Sequence, residues 1–293
     1  MTRLAEFGHY GRYAAGGLIV GLILLSGIRG LGAQGAEVLR GPIRGGFSVA
    51  EADRETGARK YALWGESAIP VTAEEWEIRS PRLELYGADE TTNLVFMPSR
   101  CIYSRKTQQI TSSEALRMWT GDGYLRMQGE GFALDLEARR LWVSNRVEAV
   151  IHKALFRKQD GMEPVRGALE SEAIRVRSDR LEYGTNRVEF LDGVRAEDAD
   201  GHLECRRLVV DLVADSSDVR ALGADGAVRF AAAELQVEAG QAVYEPVAGR
   251  LTLTGEPHWV FRQRPGRARV VVLDRDRRDR KSTRLNSSPR IRS

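Results

Sequence analysis

Cysteine, histidine, aromatic residues and helical periodicity are all scarce in this chain, and each shortage removes a class of protein. Two cysteines, Cys101 and Cys205, in 293 residues are too few for a disulfide framework or a structural zinc site. An oxidising compartment would permit one bridge between them, though no spacing argues for it. The four histidines, His9, His152, His202 and His258, are scattered without an HExxH or a Cys/His cluster, so they read as surface residues and no metal site is expected. Gly65-Glu66-Ser67-Ala68 approaches a nucleophile elbow but lacks its closing glycine. Gly121-Asp122-Gly123 and Gly129-Glu130-Gly131 lack a third glycine and open no helix, so they read as turns and not as phosphate cradles. Acidic residues such as Glu189 and Asp192 alternate with apolar ones, as on the wet face of a strand. Neither an enzyme nor a cofactor is expected.

Charge of one sign is also missing from the body of the chain. The formal net charge of +3 is carried by the last 32 residues, 262–293, where 12 Arg or Lys face 3 Asp; without them 32 basic residues face 38 acidic ones, a net of −6. A mildly acidic body argues against a nucleic-acid surface. Residues 262–293 themselves are charged and aperiodic and read as a disordered tail, in which residues 281–288 resemble translated adaptor sequence. Long hydrophobic runs are limited to residues 13–28, an uncharged stretch preceded by Arg3 and Arg12. It is short for a full span and suits the apolar region of a signal peptide, yet the cleavage site is poor because Leu31 stands where a small residue is preferred. Residues 1–33 are therefore a signal peptide or a retained anchor with the body outside the cytoplasm, and residues 34–46, Gly-rich with Pro42, read as a linker. In a retained helix the GxxxG of Gly17 and Gly21 would allow a neighbouring helix close approach.

What is abundant is alternation with period two, which buries one face of a strand and wets the other. It runs through Leu181-Glu182-Tyr183, Val188-Glu189-Phe190, the stretch from Leu208 to Leu212, Val228-Arg229-Phe230, Leu235-Gln236-Val237, Ala242-Val243-Tyr244 and the stretch from Leu251 to Thr254. Closing glycines fall at Gly193, Gly226 and Gly255, separations of 33 and 29 that indicate accreted hairpins and not a strict solenoid. Between Ile174, Val176 and Leu181, Tyr183 the apolar parity flips, which predicts a bulge near Ser178 and Asp179 and a sheet that curls. Earlier segments repeat the pattern around Leu63, Ile78, Leu85, Ile102, Leu125, Phe132, Leu134 and Val143; residues 114–120 are the one helical-turn candidate. The fold class is all-β and antiparallel, with one β region over 47–152, a charged joint containing Pro164, and another over 171–261.

Gly121-Asp122-Gly123-Tyr124, Gly129-Glu130-Gly131-Phe132 and Leu141-Trp142-Val143-Ser144-Asn145-Arg146-Val147 resemble the lipopolysaccharide export family of LptC, and residues 178–257 are similar to the OstA-like repeats shared by LptA, LptC and the periplasmic part of LptD. The resemblance implies a curled β-jellyroll, open along one side, that takes lipopolysaccharide from inner-membrane ABC transporter subunits and hands it to an LptA-like bridge protein docked on an edge strand near Leu251 to Thr254. It further implies a periplasmic body and acyl chains lying against inward-facing Phe132, Leu134, Leu181, Tyr183, Val188, Phe190, Leu208, Val210, Leu251 and Leu253. From the residues alone the same positions fit a packed core, so an exported structural scaffold without a lipid ligand stays open beside the carrier.

Overall fold

The computed structural model describes residues 42–53, 56–87, 89–153, 173–213 and 219–274, so the signal or anchor segment lies outside the described residues. Among the described residues there is no α-helix. The strands are β1 (Ile43–Ala52), β2 (Arg59–Pro70), β3 (Glu75–Arg79), β4 (Arg82–Tyr86), β5 (Thr92–Pro98), β6 (Arg100–Ser104), β7 (Gln109–Thr120), β8 (Leu125–Asp135), β9 (Arg140–His152) and β10 (Ala173–Ser178). They continue with β11 (Arg180–Gly184), β12 (Arg187–Glu197), β13 (His202–Leu212), β14 (Val219–Ala232), β15 (Leu235–Glu245), β16 (Arg250–Thr254), β17 (His258–Phe261), β18 (Arg264–Arg267) and β19 (Val271–Asp274). All pair antiparallel in one sheet, as the period-two pattern predicts.

The pairings describe a ladder whose rungs are each bent once. β2 meets β4 through its first half and β3 through its second, so β3 and β4 form one rung interrupted at Ser80-Pro81. β5 and β6 share the next rung and both pair with β7. Long β7, β8 and β9 follow, β9 pairs with both β10 and β11, and these lead to β12, β13, β14 and β15. β15 then carries β17 on one half and β16 on the other, backed by β18 and β19. The bends align, so the ladder folds lengthwise into two arms whose inner faces share one apolar cluster.

The sequence encodes each bend by the spacing of its inward residues. On successive rungs the step across the bend is four, then three: Ser112 to Leu116, Gly129 to Phe132, Val143 to Val147, Ser178 to Leu181, Phe190 to Val194, Cys205 to Leu208, Ala224 to Val228, Ala239 to Ala242 and Leu253 to Pro257. A step of three flips the parity, as foreseen at Ser178-Asp179; a step of four preserves it and so hides the bend. The left-handed backbone of Asp192, Gly193, Gly226, Gly255 and Glu256 makes the turn locally, a bulge that adds twist where the arms meet. Gly193 and Gly226 therefore lie inside single bent strands and do not close hairpins.

Four other expectations are corrected. Residues 114–120 belong to β7, because Leu116 and Met118 are buried while Ala115 and Arg117 are exposed, a period of two with no helical stripe. The linker ends sooner than expected, since Ile43 to Gly46 begin β1. The tail is partly ordered: β18 and β19 lie in it, paired through backbone bonds that need no apolar periodicity. β16 is consequently no edge, because β15 and β19 flank it. The two β regions are joined directly by the pairing of β9 with β10 and β11.

Candidate lipid-binding face

One arm holds the second half of β8, the start of β9, β11 and the start of β12. There two inward columns run level across the ladder. One passes through Ile110, Leu134, Leu141, Tyr183, Val188, Val210, Leu222, Tyr244, Leu251 and Leu273. The adjacent column passes through Phe132, Val143, Leu181, Phe190, Leu208, Ala224, Ala242, Leu253 and Val271. All ten residues nominated from the sequence fall in these two columns. Glu189 and Val209 sit between them on the other face, where Arg207 holds Glu189 at 2.6 Å.

The opposing arm supplies a column that sequence reasoning missed: Leu63, Leu83, Phe96, Met118, Met127, Ala149, Val176, Ala196, Leu203, Phe230, Val237 and Trp259 are level in successive strands. The alternation of Leu116 and Met118 was its signal, obscured by the helical interpretation of the same residues.

Packing along these columns is uneven. In the middle the arms close on each other, with Phe190 0% exposed and Leu181, Val143 and Val176 nearly so. Towards the C-terminal rungs the cover thins: Leu203, Leu222, Tyr244, Leu251 and Trp259 are half-buried, Phe230 is 36% exposed and Leu273 49%. At the opposite end a polar cluster ties the arms together. The Tyr61 hydroxyl, from one arm, donates to Glu51 Oε2 at 2.8 Å and lies 3.3 Å from Gln108 Oε1, in a turn of the other. Burial pushes that phenol far above its ordinary range, so it stays a neutral donor. Burial likewise raises Tyr183 to about 12, with the charge of Asp122 adding to the effect.

Cys101 and Cys205 are free thiols, both buried, in opposite arms; burial raises them to about 12 and about 11. His152 is also buried and not a surface residue, its ring 5.9 Å from that of Tyr124. Among the described residues no group of three His, Cys, Asp or Glu side chains could hold a metal ion, and no helix is long and apolar enough to cross a membrane.

No protein-family model matches the chain, and no curated protein does. Among solved structures it is similar to LptH of Pseudomonas aeruginosa, the LptA homologous periplasmic component of the lipopolysaccharide transport device, at 13% identity over 40% of this chain and 90% of that one. The TM-score is 0.32, too loose a superposition to carry a functional conclusion.

Proposed function

We propose that this chain is a carrier of lipopolysaccharide during its export, with acyl chains lying against the two inward columns and the body in the periplasm. The observation that carries this is the continuity of the columns: apolar side chains remain level from β7 to β19 and lose most of their cover towards the C-terminal rungs. An acyl chain would gain access there, beside Leu251, Tyr244 and Phe230, and advance by parting the arms. Burying about twelve methylene groups at roughly 0.8 kcal/mol each is enough to hold a lipid out of water and still release it to a successor. The chain would receive lipid from inner-membrane ABC transporter subunits, tethered by residues 13–28 if these are retained. An LptA-like partner would add to the C-terminal edge, now β18 and β19 in place of β16, since an unpaired strand offers its backbone to another chain.

The experiment is photo-crosslinking during ATP-driven transport, with the reactive residue at Leu208 or Leu251 and, as opposite-facing controls, at Val209 or Thr252. Lipopolysaccharide should be captured from the first pair and much less from the second. Equal capture from both, or none from a folded protein, sinks the carrier. The close packing around Phe190 and Leu181 favours the alternative, an exported scaffold whose interior is core throughout. Native mass spectrometry separates the two, because a scaffold would carry no co-purifying lipid.

A further inference from the structure

On the outer face of the sheet, behind the inward columns, three neighbouring strands leave a notch. Leu141 and Val143 are buried and the intervening Trp142 points outward, half-exposed, directly opposite Glu182 on β11. Two residues along from Glu182, Gly184 pairs with Arg187 on one side, and on the other it lies one step beyond the last β9 pair, Tyr183 with Leu141, towards Arg140. Its missing side chain opens the space between the two arginines. A Cβ placed on Gly184 would meet nothing nearer than the Arg187 carbonyl oxygen at 3.8 Å. The resulting cavity holds about 450 Å³ and has Trp142, Arg140, Glu182 and Asn186 in its wall.

We propose that this notch binds a neutral saccharide, with Trp142 as the surface on which a sugar ring stacks. Charge excludes the simpler ligands. Three arginines, Arg140, Arg187 and Arg220, line the cavity with three carboxylates, Glu182, Glu189 and Asp211, so it offers no net field for a phosphate or a cation. Much of that charge is already committed: Arg187 holds Asp211 at 2.7 Å and Glu189 at 3.5 Å, and Arg220 reaches Asp211 at 3.9 Å. Arg140 and Glu182 stand outside these ion pairs. Among the described residues Arg140 meets no carboxylate and its guanidinium lies over the Trp142 ring, 6.0 Å from the centroid, while Glu182 has no ion pair. Beside the indole the wall therefore carries the donors of Arg140 over one face of the ring and the acceptor oxygens of Glu182, neither in an ion pair, with the amide of Asn186 able to serve as both donor and acceptor and the second face of the ring left for the sugar. A sugar ring presents that combination, hydroxyls that donate and accept around its rim and an apolar C–H face for the indole. An apolar ligand would leave the polar walls unpaired. The volume lies within the ~300–1,000 Å³ usual for ligand clefts. The notch opens on the outer face, and Leu141 and Tyr183 of the first inward column also contribute to its wall.

The test uses the full chain, following the Trp142 indole N–H signal by NMR, assigned with Trp142→Phe, against maltotriose, chitotriose and the deacylated oligosaccharide of lipopolysaccharide at millimolar concentration, with inorganic phosphate as control. At least one saccharide should shift the signal and phosphate should not. Gly184→Leu, whose Cβ meets nothing nearer than the Arg187 carbonyl oxygen at 3.8 Å, should weaken binding at least tenfold with the protein still folded, and Trp142→Ala, which lacks the reporting indole and is followed by titration calorimetry with the same saccharide, should do the same. Silence with every saccharide, a shift with phosphate, or full binding by the Gly184→Leu and Trp142→Ala proteins overturns the proposal.

Discussion

The rungs from β7 to β12 and those from β14 to β19 are built by the same rule and end in different states. In both, inward residues are level across strands and step by three or four at the bend. In the first set large side chains from the two arms meet: Phe190 and Leu181 face an arm carrying Met118, Met127 and Val176, and water is excluded. In the second set the column of Leu181 and Phe190 continues through Ala224 and Ala242, and Phe230 in the facing arm is left partly in water. The difference teaches that curvature comes from backbone spacing and closure from side-chain volume, so one ladder can be shut at one end and open at the other.

The sharpest way to break that comparison is a pair of truncations. Phe190→Ala should cost about 3–5 kcal/mol, the usual range for removing a buried aromatic ring from a core. Phe230→Ala, 36% exposed at the open end, should cost less than about 2 kcal/mol. Urea unfolding measures both; equal losses would mean that the two ends are packed alike. Next in size is a proline pair. Thr252 is level with Val243 on β15 and Val272 on β19, so Thr252→Pro disturbs a flanked strand and should cost about 3 kcal/mol, whereas Val272→Pro at the outer strand should leave the melting temperature within a few degrees. If Thr252→Pro were harmless, β16 would be an edge after all.

Most of the fold class was legible because alternation is a local signal: Leu181, Tyr183, Val188 and Phe190 announce their facing without any tertiary information. The ten nominated positions came together for the same reason. What was not legible needed partners. Gly193 and Gly226 look like hairpin closures, since glycine at positive φ serves a turn and a bend equally well. Whether Leu251 sits in an edge strand is decided by β19, whose residues Val271 to Asp274 lie beside a run of arginines that resembles a disordered tail. The notch at Gly184 was invisible, because Arg140 and Gly184 lie far apart in the chain and become neighbours only through the β9 and β11 register.

Alkaline pH should sharpen the contrast between closed and open interior. The thiols are raised from an ordinary 9.0 to about 12 at Cys101 and about 11 at Cys205, and Tyr183 from 10.0 to about 12, by burial in each case. A folded value above the unfolded one means that the unfolded state loses its proton first as pH rises. The associated stability is complete below about pH 9 and is lost progressively as pH climbs towards 12. The urea midpoint should thus hold from pH 7 to 8.5 and fall from there to pH 11, less steeply in Cys101→Ala. A midpoint that stays level to pH 11 would show that these groups are solvated.

The smallest expected effect concerns the bend itself. Arg146 carries a left-handed backbone, φ 53°, on the rung of β9 where the step is four, and its side chain is 78% exposed, reaching Glu130 at 2.9 Å. An ion pair this exposed contributes from nothing to about 1 kcal/mol, while any side chain with a Cβ in the left-handed region costs roughly 1 kcal/mol relative to glycine. The two terms oppose each other. Arg146→Gly trades them and should change stability by less than about 1 kcal/mol, in contrast to a substitution at its buried neighbour Val147. Val147→Ala removes core volume opposite Ser178 and should cost about 1–3 kcal/mol. If Arg146→Gly proved the more damaging, the bend would depend on the Arg146–Glu130 pair and not on the spacing of inward residues on either side of it.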